Sequence, residues 1–223
     1  MKFVEYPDRE MLMIELANKM VSGLNDQLIQ HPSALLAVPG GTTPGPIFDV
    51  LSAVDLEWDR VCVILTDERW VPQDDPRSNT RLLKERLLVD RAASARLLPL
   101  YADASTPEDK IGELSAALMP QLPISVLLLG MGADMHTASL FPGADNLEQA
   151  LAPGAPVLMA MRAPGAPEPR ITLTAPVLDN ALSKHIIITG DEKRRAVERA
   201  QQLDAIKAPV TSVWNGATVH WAA

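Results

Sequence analysis

The sequence predicts an α/β protein, a mainly parallel sheet with helices on both faces. Short apolar runs recur at Ala34 to Val38, Val61 to Leu65, Ile124 to Leu129 and His185 to Thr189, as strands buried on both sides require. Segments with helical apolar spacing separate them, and such alternation is the pattern of parallel crossovers. The third observation is local. The run Leu127-Leu128-Leu129 enters Gly130-Met131-Gly132-Ala133 and then presents Asp134 and His136 two residues apart. Ligands of open α/β sheets bind beyond the carboxyl ends of the strands, so this loop marks the candidate active site.

Asp8 suits the N-cap of a helix to about Gln30, in which Met11, Ile14, Leu16, Ala17, Val21, Leu24 and Leu28 give mostly three- and four-residue spacing. Strand Ala34 to Val38 breaks into Pro39-Gly40-Gly41-Thr42-Thr43-Pro44, after which Pro46 to Ala53 reads as helix. The unit recurs with strand Val61 to Leu65, loop Thr66 to Arg77 and a helix from Ser78 through Leu88 that buries Leu82, Leu83, Leu87 and Leu88. Thr106 caps a further helix: Pro107 suits the first position, Asp109 stands where a capping-box acid belongs, and the helix ends near Met119-Pro120. Val157 to Met161 and Arg170 to Thr174 read as strands around an exposed proline-rich loop at Ala163 to Pro169. His185 to Thr189, a helix capped by Asp191 and a strand at Val210 to Trp214 complete a Rossmann-like order.

With 223 residues, 47% of them apolar, the chain is expected to form one globular domain over 1–223. The formal charge is −8 and no basic cluster exceeds Lys193-Arg194-Arg195, so neither nucleic acid nor an anionic membrane is an expected partner. Cys62 lies inside an apolar run and has no second cysteine to pair with, which suits a reducing cytoplasm. Met1 to Asp8 lacks the apolar stretch of a secretion signal.

Histidine is the side chain whose ordinary range lies nearest neutrality, which suits His136 to taking a proton from water and returning it to a leaving group. Asp134 is placed to orient that ring; the bland alternative is an Asp that caps backbone amides beside a His that packs. Gly40-Gly41-Thr42-Thr43 offers backbone N–H groups and two hydroxyls at a helix start, a favourable place for a phosphate, or else an ordinary tight turn. It has neither the Walker lysine nor the G-x-G-x-x-G spacing. Asp67-Glu68-Arg69 follows the second strand, and Ser78-Asn79 opens its helix. Because the whole chain is negative, an anionic substrate needs local cations, and Arg69, Arg81, Arg170 and Lys193 are the candidates, Arg81 the weakest. His31, His185 and His220 stand isolated in sequence and no ligand pair has zinc spacing, so no metal is expected. The four tryptophans are scattered and read as packing residues.

Together, Gly40 to Pro44, Asp67-Glu68-Arg69 with Ser78-Asn79, the stretch from Gly132 to Gly143 and Arg170 to Thr174 resemble the 6-phosphogluconolactonase family. Four blocks in the family's order, with Lys193 matching a further family position, make the resemblance specific over nearly the whole chain. It implies the fold of glucosamine-6-phosphate deaminases and ribose-5-phosphate isomerases, and hydrolysis of 6-phosphogluconolactone without metal or organic cofactor. It also implies His136 as the catalytic position with Asp134 its companion. Gly40, Gly41, Thr42, Thr43, Asp67, Arg69, Ser78, Asn79, Arg170 and Lys193 are then the candidate substrate-binding residues. The expected partner is a phosphosugar lactone, and the expected assembly is a monomer or weak homodimer. In one departure, Met135 stands where the family usually has glycine; an ordinary backbone conformation is expected there, since a positive φ strains a non-glycine residue. The rival readings are a phosphosugar isomerase or deaminase on the same fold and a non-catalytic phosphosugar-sensing domain.

Overall fold

Strands made only of apolar residues occupy the middle of the sheet, where both faces are covered. In the computed structural model, which describes residues 1–223, β1 (Lys2–Glu5) leads into α1 (Arg9–Gln30). The carboxylate of Asp8 accepts the Met11 N–H at 2.8 Å and so caps that helix. Next come β2 (Ala34–Val38), α2 (Gly45–Ala53), β3 (Val61–Leu65), β4 (Asp67–Arg69), α3 (Asn79–Arg86) and β5 (Arg96–Leu98). They are followed by α4 (Ile111–Leu118), β6 (Val126–Gly130), α5 (Leu147–Leu151), β7 (Leu158–Met161) and β8 (Arg170–Leu173). The remaining elements are α6 (Ala175–Asp179), β9 (Ser183–Thr189), α7 (Asp191–Ala200) and β10 (Thr218–Ala222).

Seven strands lie side by side in the order β1, β10, β9, β6, β2, β3, β5, all parallel. From β2 the chain builds outward through β3 and β5 on one side, and through β6, β9 and β10 on the other. β2 and β6 therefore meet at the switch point, where connections leave their carboxyl ends in opposite directions and open a crevice. On β1, Phe3 meets the Arg194 guanidinium of α7, whereas Lys2 and Val4 line a cleft with Glu15 and Lys19 of α1. Successive side chains of a strand point to opposite faces, so α1 and α7 cover opposite sides of the sheet. No helix is long and apolar enough to cross a membrane.

The expected parallel sheet is present, with five corrections. Arg170 to Thr174 and Val157 to Met161 do not join it: β8 and β7 pair antiparallel with β4 in a separate three-stranded sheet. β4 lies within the stretch expected to be loop; its residues Asp-Glu-Arg have no apolar signal, and pairing with β8 alone makes them a strand. Val210 to Trp214 is not a strand but a 3₁₀ turn, Pro209–Val213, with Val210 and Val213 buried three residues apart. The strand beside β9 is β10, whose interior His220 breaks an apolar run. Gly190, at φ +80°, caps α7 in place of Asp191, which begins the helix instead. Finally, α1 buries Leu12, Met13 and Met20, while Met11 and Ile14 from the expected stripe are exposed. The small sheet shares the main core, since Leu158, Ile171 and Leu173 belong to the same cluster of 61 buried hydrophobic residues.

Candidate active site

The crevice at the β2/β6 switch point draws loops from four neighbouring strands. β6 delivers the His136 loop, β2 the glycine turn, β3 runs into Asp67 and Arg69 on β4, and β9 leads to Lys193 in the first turn of α7. Residues 40 and 136 are remote in sequence yet meet because their strands are hydrogen-bonded neighbours. Together with Arg170 of β8 these segments enclose a cavity of about 230 Å³ lined by Gly40, Gly41, Thr43, Asp67, Arg69, Asn79, His136, Arg170 and Lys193.

The His136 loop is closed on itself. The Gly132 N–H donates to the His136 carbonyl at 3.0 Å, and the Met135 N–H donates to the Gly132 carbonyl at 2.9 Å. Asp134 Oδ1 takes both the His136 backbone N–H at 3.2 Å and Nδ1 of its ring at 2.6 Å. A carboxylate only accepts, so Nδ1 donates in this contact and Nε2 is the ring nitrogen left for another partner. A Cβ on Gly132 would stand 2.3 Å from the ring and 2.4 Å from Asp134 Oδ1, so only glycine lets the pair close. Phe141 packs on the imidazole with ring centres 4.3 Å apart, and the Arg170 guanidinium lies 5.3 Å from the same Phe141 ring.

Met135 overturns the expectation of ordinary backbone: its φ is +66°. The turn is held from both sides, by its N–H on Gly132 and by the Val210 N–H on its carbonyl at 3.1 Å, so the left-handed conformation survives the substitution. That conformation costs a side chain about 1–2 kcal/mol, offset in part because Met135 packs against the core.

Across the cavity, Asp67 is 6% exposed. Its Oδ2 accepts from Ser139 Oγ at 2.6 Å, which ties β4 to the His136 loop, and lies 3.7 Å from Arg170 Nη1. Arg69 and Arg170 stand directly opposite each other in the β4–β8 register. Burial, opposed by Asp67 and assisted by the charge of Arg69, lowers the Arg170 pKa. The Nε of each arginine is buried without a hydrogen-bond partner. Burial likewise lowers the pKa of Lys193, against the attraction of Glu192 and Asp134.

Several expected residues stand elsewhere. Ser78 is off the cavity wall: it caps α3, its Oγ donating to Glu68 Oε2 at 2.9 Å. Thr42 faces a neighbouring cleft with Arg9, Ile14 and Val50, Asp134 lies behind His136, and Arg81 pairs with Glu85 on the surface. His185 and His220 are not isolated, since their rings bond each other at 3.0 Å within paired strands. Gly132, Ser139 and Phe141 had no individual role in the sequence reading; the first has its signal in the Gly130-Met131-Gly132 spacing, and the other two in the Ser139 to Pro142 block. No group of three or more His, Cys, Asp or Glu side chains is arranged to hold a metal ion.

This fold and cavity define a class of sugar-phosphate enzymes: residues 7–221 match the family of glucosamine-6-phosphate isomerases and 6-phosphogluconolactonase, and the chain belongs to it. Among its relatives is a 6-phosphogluconolactonase of Mesorhizobium japonicum, 40% identical over 221 residues that cover 94% of this chain and 93% of that protein. The crystal structure of a 6-phosphogluconolactonase from Shewanella baltica matches with a TM-score of 0.95 at 33% identity, over 100% of this chain and 97% of that one. A monomeric glucosamine-6-phosphate deaminase shares the fold, with a TM-score of 0.79 at 16% identity over 100% and 97% of the two chains.

Proposed function

We propose that the protein hydrolyses 6-phospho-D-glucono-1,5-lactone to 6-phospho-D-gluconate, the second step of the oxidative pentose phosphate route. The observation that carries this reading is one cavity holding a carboxylate-oriented imidazole and an opposed arginine pair. Like charges facing each other across strands cost stability, and an anion between them reverses the sign of that interaction. The phosphate end of the lactone supplies such an anion, and the glycine turn adds backbone N–H groups.

His136 Nε2 takes a proton from water, whose oxygen attacks the lactone carbonyl carbon. Backbone N–H groups or the cations on the wall stabilise the oxyanion. The bond from that carbon to the ring oxygen then breaks, and the imidazolium returns its proton to the departing oxygen, giving the acid and a free hydroxyl. No covalent enzyme intermediate is needed. The same reading takes residues 1–223 as one catalytic domain working in the cytoplasm as a monomer or weak homodimer.

The test is His136→Ala in a coupled assay with freshly generated lactone, corrected for spontaneous opening. General-base catalysis predicts a loss of about 10²–10⁴-fold in kcat. An unchanged enzymatic rate contradicts the assignment.

A further inference from the structure

Glu68 is a fully buried carboxylate that takes no part in the chemistry above. Every hydrogen bond that reaches it comes from a neutral donor. The backbone N–H groups of Arg69, Asn79 and Thr80 donate to it at 2.7, 2.8 and 2.7 Å, and the Ser78 hydroxyl at 2.9 Å. Two of those N–H groups belong to the first turn of α3, so the carboxylate complements the positive end of that helix. It thereby fastens β4 to the start of α3.

The residue placed by this clasp is Asn79. Its Nδ2 donates to the Asp67 carbonyl at 3.0 Å, and its Oδ1 accepts from Arg69 Nη1 at 2.9 Å. It also fills the space beside the glycine turn so closely that a Cβ on Gly40 would lie 2.0 Å from it. One side chain thus touches the glycine turn, the backbone of Asp67 and the Arg69 guanidinium.

We infer that Glu68 is a positioning residue for the anion-holding half of the cavity, acting through Asn79 to keep the glycine turn and Arg69 in register. His136 is carried on the separate loop after β6, and its side chain bonds Asp134 rather than Glu68 or Asn79. The substrate follows from the lactonase reading above, whereas the positioning claim has its own readout in the binding of inorganic phosphate.

The experiment compares wild type with Glu68→Ala, Glu68→Gln and Asn79→Ala. It measures kcat and KM for the lactone, and inorganic phosphate affinity by titration calorimetry. Loss of hydrogen bonds of this kind predicts about a tenfold rise in KM and a matching loss of phosphate affinity for Glu68→Ala and Asn79→Ala. The kcat should change by less than about threefold, and Glu68→Gln, which keeps one acceptor oxygen, should fall between. Unchanged KM and phosphate affinity in a folded Glu68→Ala protein overturn the inference, as does a fall in kcat alone. If Glu68→Ala does not fold, Glu68→Gln decides by the same criteria. A wild type that binds phosphate but opens no lactone sinks the lactonase reading and leaves this one to be judged by phosphate affinity.

Discussion

Two histidine environments in this molecule point in opposite directions. His136 stands at the carboxyl edge of the sheet with 30% of its side chain exposed, a carboxylate on Nδ1 and Nε2 free toward a cavity. His220 and His185 lie within β10 and β9, buried, with all four ring nitrogens engaged. The Tyr6 hydroxyl is hydrogen-bonded to His220 Nδ1 at 2.8 Å, His220 Nε2 to His185 Nδ1 at 3.0 Å, and His185 Nε2 to Ser183 Oγ at 3.0 Å. Run in either direction, that chain satisfies both rings in their neutral form. The lesson is that an imidazole becomes a base or a structural group according to its partner and its access to water. The residue type alone does not decide it.

Breaking the first environment has the largest expected effect. Gly132→Ala drives a methyl group into both Asp134 and His136 while leaving the backbone angles permissible. Displacing a catalytic group by about an ångström costs roughly 100-fold in rate, so kcat should fall by about that factor with the melting temperature little changed. Activity near the wild-type level would show that the Asp134–His136 contact is dispensable.

The second environment predicts acid sensitivity. Burial, with the charge of Lys19 adding to it, lowers the His185 pKa from 6.5 to about 4. Burial, then His185, Lys19 and Lys2, lowers that of His220 to about 3. The unfolded chain takes up protons near pH 6.5 that the folded chain refuses, so this stability is present above that pH and is lost as pH falls toward 4 and 3. Between pH 7 and 5 each ring should account for about 2 kcal/mol of lost stability in urea unfolding. His220→Gln should flatten the dependence; an equally steep curve in that variant removes the buried pair as its cause.

The smallest effect sharpens the comparison at the loop itself. Met135→Val places a β-branched residue at φ +66°, a conformation such residues tolerate poorly. Stability should drop by about 1 kcal/mol, with a modest fall in kcat. A variant as stable as wild type would mean the loop can relax out of the left-handed conformation.

The His136 loop was legible in the sequence because its parts are local: the glycine, Asp134 and His136 lie within five residues. So were β2 and β3, whose apolar runs report their burial directly, and the extent of α1 with its Asp8 cap, though not the helix face it buries. β4 was not, since three charged residues become a strand only against β8, which is supplied about a hundred residues later. Glu68 was equally hidden, because its partners lie in a helix start whose approach is tertiary. The strain at Met135 escaped because hydrogen bonds from Gly132 and Val210 hold a conformation that local preference disfavours.

The central claim is that the His136 imidazole and the glycine turn with its arginines act on opposite ends of one bound molecule. A crystal structure with 6-phosphogluconate tests it most directly. The account predicts the product carboxylate within hydrogen-bond distance of His136 Nε2 and the phosphate on the glycine turn and Arg69 side. A complex in which the sugar acid lies away from His136, or places its phosphate against that ring, would contradict it.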